Sequence, residues 1–315
     1  MMTLEKPIVR SIATDTASWF MSNRMTFLAN ASETENDYSL THIVATPSGT
    51  PPPHVHSRED EIFYVLNGQA KVQVADQEMI AGPGSTVYLP RGLAHVPIVL
   101  SDSAETLVLI APGEFANFFK DLAVPAGPGL PRASQIQTPL IEDLLHAGNE
   151  YGVTYLPHGA SVAGWPIPKI HAQPKHVGAG EGETLSVLGS KVTIKLEGSD
   201  TQKMFSIFEI EDPAGMTGPL HIHHADSEAF YVLEGAYEFQ MGDRVERAAA
   251  GSFVYIPKGL PRRRRNYAQT TGRVLAVTAT SGHEHFYREI AAMKSFDPAR
   301  LEVVGRRYGI EMVGK

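Results

Sequence analysis

Two histidines separated by one residue, His54 and His56, are followed by Glu61 and then by His95, which closes the string Gly84-Ser-Thr-Val-Tyr-Leu-Pro90-Arg-Gly92-Leu-Ala-His95. In an extended strand alternate side chains share a face, so the two imidazoles of His54-Val-His56 can reach a common ion. Pro51, Pro52 and Pro53 hold the entry to that strand extended. Glu61 lies an odd number of residues beyond His56 and would face the other way on a straight strand, so a turn is expected in Ser57-Arg58-Glu59-Asp60. Beyond it, Glu61, Phe63 and Val65 alternate with Ile62, Tyr64 and Leu66, which carries the carboxylate into a largely apolar interior. A bare carboxylate there is costly, and a bound cation removes that cost. The turn at Pro90-Arg-Gly92 lets a non-adjacent strand return His95 to the first two imidazoles. Four such donors hold a first-row divalent ion at about 2 Å per bond and leave positions open if the ion is octahedral. A lone His-x-His is ordinarily a surface or core pair; the interior glutamate and the Pro-x-Gly-x2-His string at consistent spacing make a metal site the expectation.

These residues need a β framework. The 28 glycines and 22 prolines punctuate short runs rich in Val, Ile, Phe, Tyr and Thr, the pattern of an all-β chain with many turns. Strands are expected at 38–46, 62–66, 69–75, 85–89, 95–100 and 105–111, with helices at 115–123 and 138–147. A second set follows, with strands at 184–188, 191–197, 203–210, 229–233, 236–241, 252–256 and 273–280 and helices at 283–294 and 297–307. Linker composition marks Pro125–Pro131 and Trp165–Pro174. A self-comparison at one constant offset, 167 residues, maps His54, His56 and Glu61 onto His221, His223 and Glu228. At the same offset Glu61-Ile-Phe-Tyr-Val-Leu-Asn-Gly68 falls on Glu228-Ala-Phe-Tyr-Val-Leu-Glu-Gly235, and Gly84, Pro90 and Gly92 fall on Gly251, Pro257 and Gly259. Each half then ends in a helical piece, Phe118-Phe119 or Phe286-Tyr287, and a Tyr-Gly pair, Tyr151-Gly152 or Tyr308-Gly309, where the spacing drifts. A 315-residue chain with 43% hydrophobic residues is ample for two cores, so domains are expected at 1–150 and 151–315.

Both strings resemble the two signature motifs of the cupin superfamily, Gly-x5-His-x-His-x3,4-Glu-x6-Gly and Gly-x5-Pro-x-Gly-x2-His-x3-Asn. Gly49 precedes His54 by one residue fewer than that pattern, and Val99 stands in place of its final Asn; neither is a ligand position. The resemblance covers nearly the whole chain and implies two tandem jelly-roll β-barrels with a few short helices. Within the superfamily the layout resembles the quercetin 2,3-dioxygenase group of bicupins and their pirin relatives. Its supporting strings are Pro-Pro-Pro-His-Val-His at 51–56, Asp60-Glu61-Ile-Phe-Tyr-Val-Leu and Pro-Gly-x-Phe-x-x-Phe-Phe at 112–119. That likeness implies that His54, His56, Glu61 and His95 carry one divalent transition metal per chain, Fe(II) first, with Mn, Ni, Co and Cu as alternatives. It further implies that Glu61 accepts a proton from a flavonol-type or other enolisable aromatic substrate, with O2 as co-substrate. Phe63, Val65 and Tyr88 are candidate walls or ordinary core. The competing readings on the same site are a non-oxidative isomerase, hydrolase or decarboxylase, and a pirin-like regulator or small-molecule binder.

The halves are not equivalent, because the offset places Arg262 where the fourth ligand, a histidine, belongs, and an arginine cannot coordinate a cation. Either three ligands bind metal poorly, helped by His224, or Arg262 turns inward to pair with Glu228; the expectation is loss of the catalytic metal in the second half. The run Arg262-Arg-Arg-Arg265 reads as a solvated loop or a set of salt bridges, and His171, His176, His283 and His285 as surface or loop histidines. With 27 Lys and Arg against 35 Asp and Glu, a net charge of −8, nucleic acid and anionic membranes are not expected partners. A small-molecule substrate is, and a homodimer through sheet edges is consistent with the fold. The absence of cysteine excludes disulfides and thiolate ligands, and no apolar run approaches a bilayer span, from which a cytoplasmic protein is expected.

Overall fold

The computed structural model describes all residues except 1–5, 13–16, 128–131, 133–135, 137–138, 167–171, 294, 296 and 314–315. The chain forms two compact units, Ile12–Gly180 and Met1–Ser11 with Glu181–Lys315, and each is a barrel of two sheets. In the first unit an eight-stranded sheet runs, in spatial order, Val124–Ala126, Ala17–Phe20, Asn23–Ala29, Ser39–Ala45, Ala104–Ala111, Asp60–Asn67, Thr86–Leu89 and Lys175–Val177. Its five-stranded partner runs Val153–Tyr155, His54–His56, His95–Val99, Ala70–Val74 and Gln77–Ala81. Period-two burial shows why these strands close on a core: Ala70, Val72 and Val74 are buried while Lys71 and Gln73 are not. Met25, Phe63, Val65, Val87 and Val108 fill the interior from the larger sheet.

The second unit repeats the plan. Its seven-stranded sheet runs Ile8–Ser11, Ser252–Ile256, Ser227–Glu234, Gly272–Ala279, Phe205–Asp212, Ser190–Leu196 and Glu183–Val187. Its five-stranded sheet runs Arg244–Ala249, Ala236–Met241, Pro261–Asn266, His221–His223 and Ile310–Met312. Helices His283–Ala291 and Pro298–Arg307 flank it, the latter capped by Asp297, whose carboxylate accepts from the Ala299 and Arg300 amides. Among the described residues no helix is long and apolar enough to cross a membrane.

The expected division near 150 falls inside the first unit. Val153–Tyr155 pairs with His54–His56 and Lys175–Val177 with Thr86–Leu89, so chain beyond 150 is hydrogen-bonded into the first barrel as far as Gly180. Conversely, Ile8–Ser11 pairs with Ser252–Ile256 and belongs to the second barrel. Several strands carry too few apolar residues to stand out in the sequence, among them Gln77–Ala81, Arg244–Ala249 and Pro261–Asn266. The last holds Arg262–Arg265, which is therefore strand rather than solvated loop: Arg262 is buried, Arg264 half-buried, and Arg263 and Arg265 point to solvent. Val124–Ala126, which overlaps the start of the expected linker, is an edge strand, and the helix expected at 138–147 spans Ile141–Tyr151.

Candidate metal centre

Three of the four donors come from one sheet and the fourth from the sheet facing it. His54–His56 lies between Val153–Tyr155 and His95–Val99, with His95 directly opposite His54, while Glu61 sits at the start of Asp60–Asn67. The crossing between sheets is the expected turn at Ser57-Arg58-Glu59, and it is pinned. The Ser57 amide and hydroxyl both donate to the Gly152 carbonyl, at 2.9 and 2.7 Å, and Arg58 donates to Glu150 O at 3.0 Å. Gly152 has φ +75°, and a Cβ there would lie 2.8 Å from Ser57 Oγ, so the close approach needs glycine. Next to the ligand, buried Asp60 accepts from Tyr88 Oη at 2.7 Å and from Arg91 N and Nε at 2.9 and 2.8 Å. It thereby ties the Pro90-Arg-Gly92 turn to the Glu61 strand, and the Gly92 amide donates to His56 O at 2.7 Å. His95 is delivered by that turn.

The donor atoms of His54, His56, Glu61 and His95 all lie within 4.8 Å of one another, and all four residues are buried. Opposed ligands of a first-row ion are roughly 4 Å apart, so the cluster is of the right size. Backbone carbonyls, which only accept, decide the tautomers: His54 Nδ1 donates to Pro52 O and His95 Nδ1 to Leu93 O, each at 2.9 Å. Both Nε2 atoms are thereby turned inward. His95 Nε2 lies 3.1 Å from Glu61 Oε2 and His56 Nε2 lies 4.0 Å from the same oxygen. A lone pair cannot face a carboxylate oxygen at 3.1 Å without a positive charge between them, whether a proton on His95 or a metal ion. Burial, then the neighbouring His95 and His56, pushes the His54 imidazole far down, so it is neutral and able to ligate. Burial pushes the Glu61 carboxyl up, yet the hydrogen bond with His95 and the charges of His56 and His95 outweigh it and hold the group below its usual range. A neutral His54 and an ionised Glu61, with two further inward-facing imidazoles beside them, fit a divalent first-row ion.

The Cupin domain family matches residues 41–111 and 208–278, two segments related by the same 167-residue offset as the ligand motifs. The chain is a bicupin of the cupin superfamily. Among solved structures, oxalate decarboxylase from Bacillus subtilis has this fold, with 16% sequence identity and a TM-score of 0.60 over 100% of this chain and 90% of that one. A structure of the same enzyme concerned with its Mn(II) centres matches with a TM-score of 0.61 at 16% identity over the same shares of both chains. An uncharacterised protein of Streptomyces coelicolor is 31% identical over 72 residues, 23% of the bicupin and 69% of that protein. Germin-like protein 3-3 of Oryza sativa is 32% identical over 79 residues, 22% of the bicupin and 35% of the germin-like chain. The bicupin thus spans about a third of that relative's length.

The first cupin barrel opens above its donors into a cavity of about 120 Å³. His54, His56 and Glu61 line one end, and Phe20, Met25, Phe63, Val65, Phe115 and Phe118 are among its walls; no lysine or arginine borders it among the described residues. Phe115 packs edge-on over His56, ring centroids 4.5 Å apart. Tyr155, directly across from His54 in the sheet, adds a phenol that burial holds protonated. Of the three expected wall residues, Phe63 and Val65 border the cavity. Tyr88 does not, because its hydroxyl is committed to Asp60 on the far side of its strand.

In the second cupin barrel the donors of His221, His223 and Glu228 also lie within 4.8 Å of one another. Arg262 occupies the fourth position as an internal cation, 1% exposed. Its guanidinium donates to Leu260 O, Ile256 O and Pro257 O, and Nη1 lies 4.0 Å from Glu228 Oε2. His224 does not assist, since it points outward to Glu311 at 2.7 Å. His283 is no surface histidine: it starts a helix, is buried, and stacks on His223 with centroids 4.8 Å apart. It occupies the place Phe115 takes in the first barrel, one residue off the 167-residue register, which is why the offset did not reveal it. Asp226, 2.8 Å from His223 Nδ1, is at the offset from Glu59, which lies 3.7 Å from His56 Nδ1. His176 and His285 are exposed, and His171 lies outside the described residues.

Proposed function

We propose that the first cupin barrel is a metal-dependent enzyme site for a small, largely apolar substrate that meets the ion through one ionisable oxygen. The observation that carries this reading is the convergence of His54, His56, Glu61 and His95 at the end of a cavity bordered mainly by aromatic and aliphatic side chains and, among the described residues, by no cationic one. A divalent ion held by those four residues, Fe(II) or Mn(II) in the first instance, supplies a Lewis acid that stabilises negative charge developing on the substrate oxygen. Glu61, kept ionised, is placed to take the proton that the substrate gives up. The Tyr155 hydroxyl is the one phenol donor at the cavity among the described residues, and Phe63, Phe115 and Phe118 orient the substrate body and exclude water.

Non-oxidative chemistry, deprotonation or decarboxylation, is the leading form of this proposal. Its support is the fold shared with oxalate decarboxylase, and the substrate differs from oxalate because a small dianion finds no cationic side chain at this largely apolar cavity among the described residues. Dioxygenation of an enolisable aromatic compound is the second form, favoured by the aromatic walls. Turnover of a panel of apolar keto acids, enols and flavonols by the iron- or manganese-loaded chain, run under air and under nitrogen, separates them. Equal turnover under nitrogen is expected; turnover that stops without oxygen and consumes it one for one overturns the non-oxidative form in favour of the dioxygenase.

A further inference from the structure

The second barrel retains a cavity of about 70 Å³, and what faces it differs from a metal site in one respect that decides its use. His221 Nδ1 donates to Pro219 O at 2.9 Å and His223 Nδ1 donates to the Asp226 carboxylate at 2.8 Å. A carbonyl and an ionised carboxylate can only accept, so both Nε2 atoms carry bare lone pairs. His223 is fully buried, it borders the cavity, and its Nε2 has no hydrogen-bond partner among the described residues. Glu228, also at the cavity, adds a third acceptor. Burial, then the adjacent His223, pushes His221 down to about 3, and burial outweighs Asp226 in lowering His223, so neither ring supplies a second proton.

The three acceptors hold no donor among them, the Tyr287 phenol that also borders the cavity makes no hydrogen bond to His223 Nε2, and Arg262 decides which kind of donor from outside fits. Its buried guanidinium, 4.0 Å from Glu228, already balances that carboxylate and repels a second cation at short range. The other charge at the cavity, Arg264, is neutralised by Asp212, which its Nε and Nη2 contact at 2.9 and 3.3 Å. The space is therefore electrically balanced, rich in acceptors at one end, and walled by Val192, Met216, Phe286, Tyr287, Ile310 and Met312. We propose that the second barrel is a metal-independent binding site for a neutral, apolar small molecule bearing a hydroxyl group, the phenol class above all, whose O–H donates to His223 Nε2. Asp226 is the positioning residue, because its carboxylate fixes the tautomer that leaves Nε2 free to accept. His283, stacked on His223 and 3.7 Å from Asp226, braces the pair.

The proposal concerns a site separate from the one assigned to metal chemistry, and its test does not need turnover. 4-Fluorophenol and 4-fluoroanisole, which share a ring but not the donor, are titrated into the full chain at its ordinary metal content and followed by 19F NMR. One equivalent of 4-fluorophenol is expected to bind in a manner that the His223→Phe variant weakens at least about tenfold, the worth of one buried hydrogen bond. 4-Fluoroanisole is expected to bind more weakly by a similar factor. His223→Phe tests folding as well as binding, so its metal content and circular dichroism are compared with the parent chain. Asp226→Asn provides the second variant, expected to shift the 15N signature of His223 away from the Nδ1–H form and to weaken the phenol. Equal binding of the two probes, 4-fluorophenol binding that survives both variants, or a metal ion titrating onto His221, His223 and Glu228 would each overturn the proposal.

Discussion

The two barrels face the same physical difficulty and meet it with different cations. Each buries a glutamate, Glu61 or Glu228, at the start of an interior strand beside inward-turned imidazoles. An unpaired carboxylate in such surroundings is costly. The second barrel supplies a guanidinium from its own chain, anchored on three backbone carbonyls. The first supplies a third imidazole, His95, which leaves the positive charge to come from outside. An internal cation is permanent and has no vacant coordination position; an external one brings positions that a substrate can occupy. One substitution at the same place in two copies thus separates a barrel suited to chemistry from a barrel suited to stability or to binding.

The largest test of that contrast is removal of the imidazole. His95→Ala is expected to weaken metal binding by more than about a hundredfold, taking metal content from about one ion per chain to near zero by elemental analysis. Next is removal of the internal cation. Arg262→Ala strands buried Glu228 and is expected to cost about 3–5 kcal/mol in chemical denaturation, whereas Arg262→His should recover part of that loss on adding metal and raise stoichiometry toward two.

A smaller effect is expected at the next inward residue of the same strand, Arg264, through its partner Asp212. Asp212, buried, is pushed up by its burial, but the charge and hydrogen bonds of Arg264 and the Ser190 hydroxyl hold it below its usual range. Because its pKa is depressed on folding, its contribution is present above the ordinary aspartate value of about 4 and fades as pH falls through the lower folded value. Asp212→Asn should cost about 2–3 kcal/mol near neutrality and show less acid sensitivity than the parent chain. Least of all, Tyr88→Phe removes one hydrogen bond to Asp60, which keeps Arg91, and should cost about 1 kcal/mol with metal content unchanged.

Much of the site was legible because its chemistry demands fixed residue types at fixed spacing. His54, His56 and Glu61 imply a strand, a turn and an interior strand, and the offset of 167 residues locates Arg262 from the sequence alone. What escaped was set by tertiary contact. Lys175–Val177 and Ile8–Ser11 are too short to signal a strand alone, and they exist because an edge strand elsewhere in the sequence pairs with them. Pro261–Asn266 reads as a charged loop, since no local pattern reveals that Arg262 finds three carbonyls and Arg264 finds Asp212. His283 enters its site from a helix whose register has slipped by one residue, so only folding brings it over His223.

The most direct measurement is anomalous X-ray scattering from crystals of the full chain reconstituted with Mn(II) or Fe(II). A single peak per chain bounded by His54, His56, Glu61 and His95, with none at His221, His223 and Glu228, is the expected result. Equal peaks in both barrels, or a peak in the second alone, would contradict the division of roles between the imidazole at 95 and the guanidinium at 262.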